Sequence, residues 1–202
     1  MAVITNFGVP TPGASNGTTL MPKLQYRFRV TFTRLGTESR HDVVTQNVIS
    51  VSRPSLTHEE VVVDSYNSKM YLAGKHTWET LTLTLRDDMT SEVIKQLGSQ
   101  LNMQVDHADQ SSAVAGASYK FEMKIETLDG GNGETPAQPF DVWELKGCYL
   151  QGVAYGDLNY ATSDMVQVTA TIRYDHALHT VDGQDVLSAG TSGGFGDGAT
   201  TG

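Results

Sequence analysis

At 202 residues the chain is long enough to bury one sizeable core, with tails to spare. Lys and Arg total 14 against 23 for Asp and Glu, and the formal charge of −9 argues against a surface that grips nucleic acid through its phosphates. The single cysteine, Cys148, excludes an internal disulfide and fits assembly in a reducing compartment as a packed core thiol. The start MAVITNFGVPTPG lacks the basic and apolar runs of a secretory signal, and no apolar stretch nears the roughly 18 residues of a membrane span, so no membrane partner is expected.

Residues 1–22 are broken by Pro10, Pro12, Gly13, Gly17 and Pro22 and read as an N-terminal arm that orders only against something else. From Gln25 to Thr33 apolar Tyr26, Phe28, Val30 and Phe32 alternate with polar residues, which predicts a half-buried strand. A second strand is expected from about Val43 to Ser52, stopped by Pro54, and a third from His58 to Tyr66. The segment DSYNSKMYLAGK then reads as a hairpin whose tip carries the apolar groups Met70, Tyr71 and Leu72 beside Asn67, Lys69 and Lys75. Such groups either fold back on the chain's own core or meet another subunit.

Next comes AGKHTWETLTLTLRDD, with the strictest alternation in the chain. Leu81, Leu83 and Leu85 point to one face, and Thr80, Thr82 and Thr84 to the other. Burying each leucine is worth about 1.5–3 kcal/mol, which fixes the register, since a one-residue slip would expose all three. Met89, Val93, Leu97, Leu101 and Val105, with Ile94 alongside, form the stripe of an amphipathic helix over about 88–106, capped by Asp88 or Thr90, with close packing at Gly98.

Alternation returns from Tyr119 to Thr127, with Phe121, Met123 and Ile125 on one face and Lys120, Glu122, Lys124 and Glu126 on the other. LDGGNGETPAQP is a loop, Phe140 to Leu150 a strand, and Met165 to Asp175 the last strand, with Val168 and Ile172 facing inward. After Thr180 the glycine-rich VDGQDVLSAGTSGGFGDGATTG reads as a flexible tail, 181–202. The total is about seven strands and one helix in a single domain over 23–180. That is a mainly β fold, an antiparallel sandwich or barrel with core residues Phe28, Val30, Leu81, Leu83, Leu85, Phe121, Ile125, Val168 and Ile172.

No active site assembles from the sequence. Gly13-Ala14-Ser15-Asn16-Gly17 matches G-x-S-x-G but lacks the strand before it and the helix after it. His176 and His179 beside Asp175 have metal-ligand spacing yet read as a solvated pair, and Asp129–Glu134 resembles a calcium loop whose third and fifth positions are glycines. Asp106, His107 and Asp109 read as a solvated helix end. The glycines of 193–198 have no strand and helix to make a phosphate cradle, and the sequon Asn16-Gly17-Thr18 has no secretory route. No cofactor, metal or catalytic residue is expected.

The stretch AGKHTWE leading into LTLTLRDD, the Tyr119-Lys120 strand ending in LDG, Trp143-Glu144-Leu145-Lys146-Gly147-Cys148, and VQVTATIRYD preceded by YGDLNYAT occur in an order and spacing that resembles the tail tube proteins of contractile-tailed phages and the inner tubes of related injection particles. The resemblance spans roughly Leu24 to His179. It implies a structural virion protein that closes into hexameric rings stacked into a tube, with loops bridging the rings. A tail sheath surrounds such a tube, baseplate and tail-terminator proteins end it, and tape measure protein and DNA occupy its lumen without sequence-specific binding. It also implies location in the virion tail after assembly in the host cytoplasm, and no enzymatic role.

Under that reading Asn67, Lys69, Met70, Tyr71, Leu72 and Lys75 are the inter-ring hairpin contacts. Thr80, Thr82, Thr84, Glu122 and Glu126 offer a polar face to a lumen of net negative charge or to a neighbouring subunit. Two alternatives stand beside it: a baseplate or tube-initiator ring of the same fold, and a glycan-binding β-sandwich with an aromatic platform built from residues such as Trp78, Tyr155 or Tyr160.

Overall fold

The computed structural model describes residues 23–37, 41–113, 115–131 and 136–187. The N-terminal arm with its G-x-S-x-G and sequon, the end of the Asp129–Glu134 loop, and the glycines of 193–198 lie outside the described residues. Ten antiparallel strands are present among the described residues, more than the seven expected: β1 (Phe28–Thr33), β2 (Val48–Val51), β3 (Leu56–Ser65), β4 (Ser68–Trp78), β5 (Leu81–Arg86), β6 (Phe121–Leu128), β7 (Pro139–Ala154), β8 (Gln167–Arg173), β9 (His176–Val181) and β10 (Gln184–Leu187).

Two sheets share the long strand β7. Its first half pairs with β6 and β9, giving the order β1-β6-β7-β9-β10; its second half pairs with β8, giving β7-β8-β5-β2. The bend between the halves falls at Gly147, whose φ of 69° places it in the left-handed region, and where a Cβ would overlap the Asp175 carboxylate. The facing surfaces hold the core: Val30 and Phe32 of β1, Leu81, Leu83 and Leu85 of β5, Phe121, Met123 and Ile125 of β6, Leu145, Cys148 and Leu150 of β7, and Val168, Ala170 and Ile172 of β8 are all buried, with Phe28 half-buried beside them. Burial pushes the Cys148 thiol up to about 12, so it is an inert packing group.

Where a strand was expected from Val43, the chain instead makes a short helix, α1 (His41–Gln46), before β2. The β-branched pair Val43-Val44 favours a strand locally. The tertiary requirement wins, because β1 and β2 end the two sheets and α1 packs on β1 with Val44 fully buried. The expected tail also begins too early. β9 continues through Val181, and Asp182-Gly183, with φ of 49° and 73°, turns the chain into β10, which pairs with β9.

The long helix α2 runs Glu92–Gln104, shorter than the 88–106 read from the sequence. Met89 precedes it and is fully exposed, and Val105 has already turned to extended backbone. Asp88 serves its start: Oδ1 accepts from the Thr90 hydroxyl at 2.7 Å and the Thr90 amide at 3.1 Å, and the hydroxyl bond leads the set that lowers its pKa. Val93 and Leu97 supply the apolar contact, but much of the grip is made by glutamines. Gln100 accepts from Gly36 N and donates to Tyr119 O, while Gln104 exchanges two 3.0 Å bonds with the backbone of Leu150, where β7 shifts register against β8. Gln104 thus satisfies both the amide and the carbonyl of Leu150 beside that shift. Gly98, expected at a close contact, faces an open groove with Thr37, Ser99 and Asn102.

A polar cluster closes one end of the sandwich. Asp141 of β7 is nearly buried, with Lys23 Nζ at 2.7 Å, His179 Nε2 at 2.8 Å and Arg53 at 4.0 Å; Arg53 also reaches Thr127. An ionised carboxylate only accepts, so the His179 proton sits on Nε2. The ring lies flat against Trp143, with centroids 4.0 Å apart. His179 is therefore a packed residue rather than one of a solvated pair; only His176 is exposed. Burial works to raise the Asp141 pKa, but hydrogen bonds and charge from Lys23 and His179 outweigh it and hold the carboxyl below its ordinary 3.8.

Gly98→Ala should stabilise the fold by about 0.5–1 kcal/mol, because the methyl enters open space and only the unfolded chain loses freedom; the check is the urea midpoint at unchanged m-value. Asp141→Asn should cost about 1–3 kcal/mol at pH 7. Since the folded-state pKa lies below the unfolded value, that contribution is complete above about pH 4 and is lost as pH falls through the folded-state pKa, so the midpoints of parent and variant should converge in acid.

Candidate assembly interface

The two strands β3 and β4 form a sheet of their own, outside the sandwich. With 10 and 11 residues, at about 3.3 Å each, this arm reaches some 30 Å. Its root is fixed. Trp78 is buried and packs on Tyr174, with centroids 5.7 Å apart; Glu79 N donates to Ser55 O at 3.0 Å; and Arg53, just before β3, enters the Asp141 cluster. Burial pushes the Tyr174 phenol up to about 12, so it stays neutral at the root.

Above the root the ribbon is held by its own register. Val61 pairs with Leu72, Val62 with Tyr71, Val63 with Met70 and Asp64 with Lys69, after a bulge between His58 and Glu60. Paired residues share a face. One face therefore carries Val61, Val63, Met70 and Leu72, and the other Val62 and Tyr71 among Glu60, Asp64 and Lys69. All of these apolar groups are exposed, Met70 by 54% and Tyr71 by 62%. The tip is Tyr66-Asn67, with Tyr66 at φ 48°. Met70, Tyr71 and Leu72 thus lie along β4 and not at the tip where the sequence placed them, with Lys69 and Lys75 exposed on the same strand.

The outer faces of the sandwich differ from each other. On the β7-β8-β5-β2 sheet, Thr82 pairs with Thr171 and Thr84 with Thr169, a hydroxyl surface with Thr80 at its margin and the bases Arg86 and Arg173 at strand ends. On the other sheet, Arg29 pairs with Glu126 and Lys124 with Glu144, at 2.6 Å and 2.8 Å, with Glu122 and Lys146 alongside. Glu126, expected on an open acidic face, is only 7% exposed because Arg29 covers it. The surface is charge-balanced rather than acidic.

Among the described residues no group of three His, Cys, Asp or Glu could hold a metal, and no helix is long and apolar enough to cross a membrane. Asp129 is held below its ordinary pKa chiefly by the amides of Gly131 and Gln138, the signature of a turn. The aromatic platform falls apart: Trp78 is buried at the arm's root, whereas Tyr155 and Tyr160 project from the β7–β8 loop at the far end of the β5 and β8 strands. Sequence reasoning missed the Asp141 cluster, although an acid alternating with Trp143 and Leu145 on an inward face was a readable sign of a buried ion pair.

No protein-family model matches the chain, and no curated protein matches it. Solved structures do. A chain of the anti-feeding prophage tube-terminating cap superposes with a TM-score of 0.62 at 15% identity, covering 85% of this chain and 99% of that one. A chain of the anti-feeding prophage baseplate gives 0.59 at 16% identity over 81% and 98%, and one from the sheath–tube complex of an extracellular contractile injection system gives 0.58 at 13% over 81% and 94%. By these likenesses the chain has a tail tube protein fold, shared with chains of the anti-feeding prophage cap and baseplate and of a contractile injection system's sheath–tube complex.

Proposed function

We propose that this chain is the tail tube subunit of a contractile-tailed phage or a related contractile injection particle. It closes into hexameric rings that stack into a tube, inside a sheath and between baseplate and terminator. The observation that carries this reading is the arm. A two-stranded ribbon is marginal in water, and this one leaves Val61, Val63, Met70 and Leu72 uncovered. A neighbouring subunit would supply the layer they lack. The similar chains from a sheath–tube complex and a sixfold-symmetrised baseplate support the same reading.

Tape measure protein and then DNA would pass through the bore, after assembly in the host cytoplasm and incorporation in the virion tail. Both outer faces of the sandwich suit such a wall. One is largely threonine hydroxyl with Arg86 and Arg173 at strand ends, and on the other Arg29 and Lys124 are opposed by Glu126 and Glu144, so neither offers a row of free cations to hold phosphate. The role is structural and not enzymatic. A second reading, a cap or initiator ring of the same fold, is favoured by the likeness to the terminating cap.

Negative-stain electron microscopy of the purified protein separates these readings. Long uniform tubes are expected of a tube subunit and single rings of a cap or initiator, while a monodisperse monomer would contradict both. Met70→Asp with Tyr71→Asp should leave the circular dichroism spectrum unchanged and abolish tubes; undiminished tube formation would refute the role given to the arm.

A further inference from the structure

Metal-ligand spacing in the sequence points to His176 and His179, but the fold takes His179 away to Asp141. The register of the arm brings a different pair together. His58 of β3 and His76 of β4, well separated in sequence, stand directly opposite each other, and paired residues share a face. Both are exposed, and their ring centroids lie 6.0 Å apart at an interplanar angle of 59°. Two imidazole nitrogens bound to one ion at about 2.0–2.1 Å put the ring centroids about 5–6.5 Å apart, depending on the angle at the metal. The observed separation falls inside that window.

The pair is also held in place. His76 meets the Trp78 ring edge-on, with centroids 6.4 Å apart, and Trp78 is buried against Tyr174 at the root. One imidazole is therefore backed by the core, so fixing it on a ligand costs less side-chain freedom. Between the pairs His58–His76 and Glu60–Ala73, the bulge sets Gly74 and Lys75 of β4 against Glu59 alone. The alternation of β3 is thus unbroken, and Glu60 follows His58 on the same face. Its carboxylate adds negative potential beside the imidazoles without making a third ligand. The lysine of that face, Lys69, lies farther out toward the tip and pairs with Asp64.

We propose that His58 and His76 form a transition-metal site, which takes a divalent ion such as Zn2+, Ni2+ or Cu2+ on two imidazole nitrogens with water completing the shell. Imidazole selects these ions over Mg2+ and Ca2+, which take oxygen ligands. The ion bridges β3 to β4 between the anchored root and the exposed apolar row, so it clips the ribbon where no core backs it. Because it binds the paired strands in preference to separated ones, it stabilises the ribbon by mass action. The site lies within one chain and does not depend on self-assembly.

Calorimetric titration of the full chain, bearing no affinity tag, with Zn2+ and with Cu2+ tests this. One site per chain is expected, with no heat from Mg2+. His58→Gln and His76→Gln should each weaken it about tenfold or more, while His176→Gln leaves it unchanged. All three residues are exposed, so the circular dichroism spectra should match the parent. Cu2+ at the site lies close to Trp78 and should quench tryptophan emission in the parent and in His176→Gln, but not in His58→Gln. No binding of either ion below about 1 mM, affinity undiminished in His58→Gln, or binding lost in His176→Gln would overturn the assignment.

Discussion

The structure turns on one constraint: a two-stranded sheet has two faces and no core of its own. The central strands of the sandwich satisfy their apolar side within it, as β5 does by burying Leu81, Leu83 and Leu85. The arm does not. Its two strands pair in register from Leu56 to Trp78, apart from one bulge, yet its valines, Met70 and Leu72 stay in water. Hydrogen bonding alone adds little net free energy, because the unfolded strand bonds equally well to water. The missing term is apolar burial, which no described residue of the chain supplies and which a neighbouring subunit would supply under the proposed reading.

That dependence explains why the root is built so firmly. Trp78 and Tyr174 anchor the arm to the core, and Arg53 ties its approach to Asp141, where Lys23 and His179 also converge. The same buried carboxylate thus gathers Lys23 ahead of β1, Arg53 at the approach to the arm, and His179 of the strand leading to the last hairpin. A projecting lever transmits load only if its base is rigid, and a cluster in which three bases surround one nearly buried acid resists displacement more than any single exposed ion pair could.

Much of this was legible in the sequence, and the failures are physical. The Leu81–Leu83–Leu85 and Phe121–Met123–Ile125 rows alternate because a half-buried strand must, and those segments fold as read. Val43-Val44 misled because β-propensity is weak against the need to fill the gap beside β1. The β9–β10 hairpin was overlooked although Asp182-Gly183 is a strong turn signal, since the glycine-rich run that follows it hid the change in character. The arm's length lay beyond local reading. DSYNSKMYLAGK announces a turn, but nothing within it says that the paired strands run on without a second layer beneath them.

The central claim, that the arm is completed by a neighbour, is tested most directly by amide hydrogen exchange on the same protein before and after assembly. Val61–Val63 and Met70–Leu72 should exchange quickly in the isolated subunit, far faster than Leu81–Leu85, and become strongly protected in rings or tubes. Protection of these arm amides that is the same in both states would contradict the account.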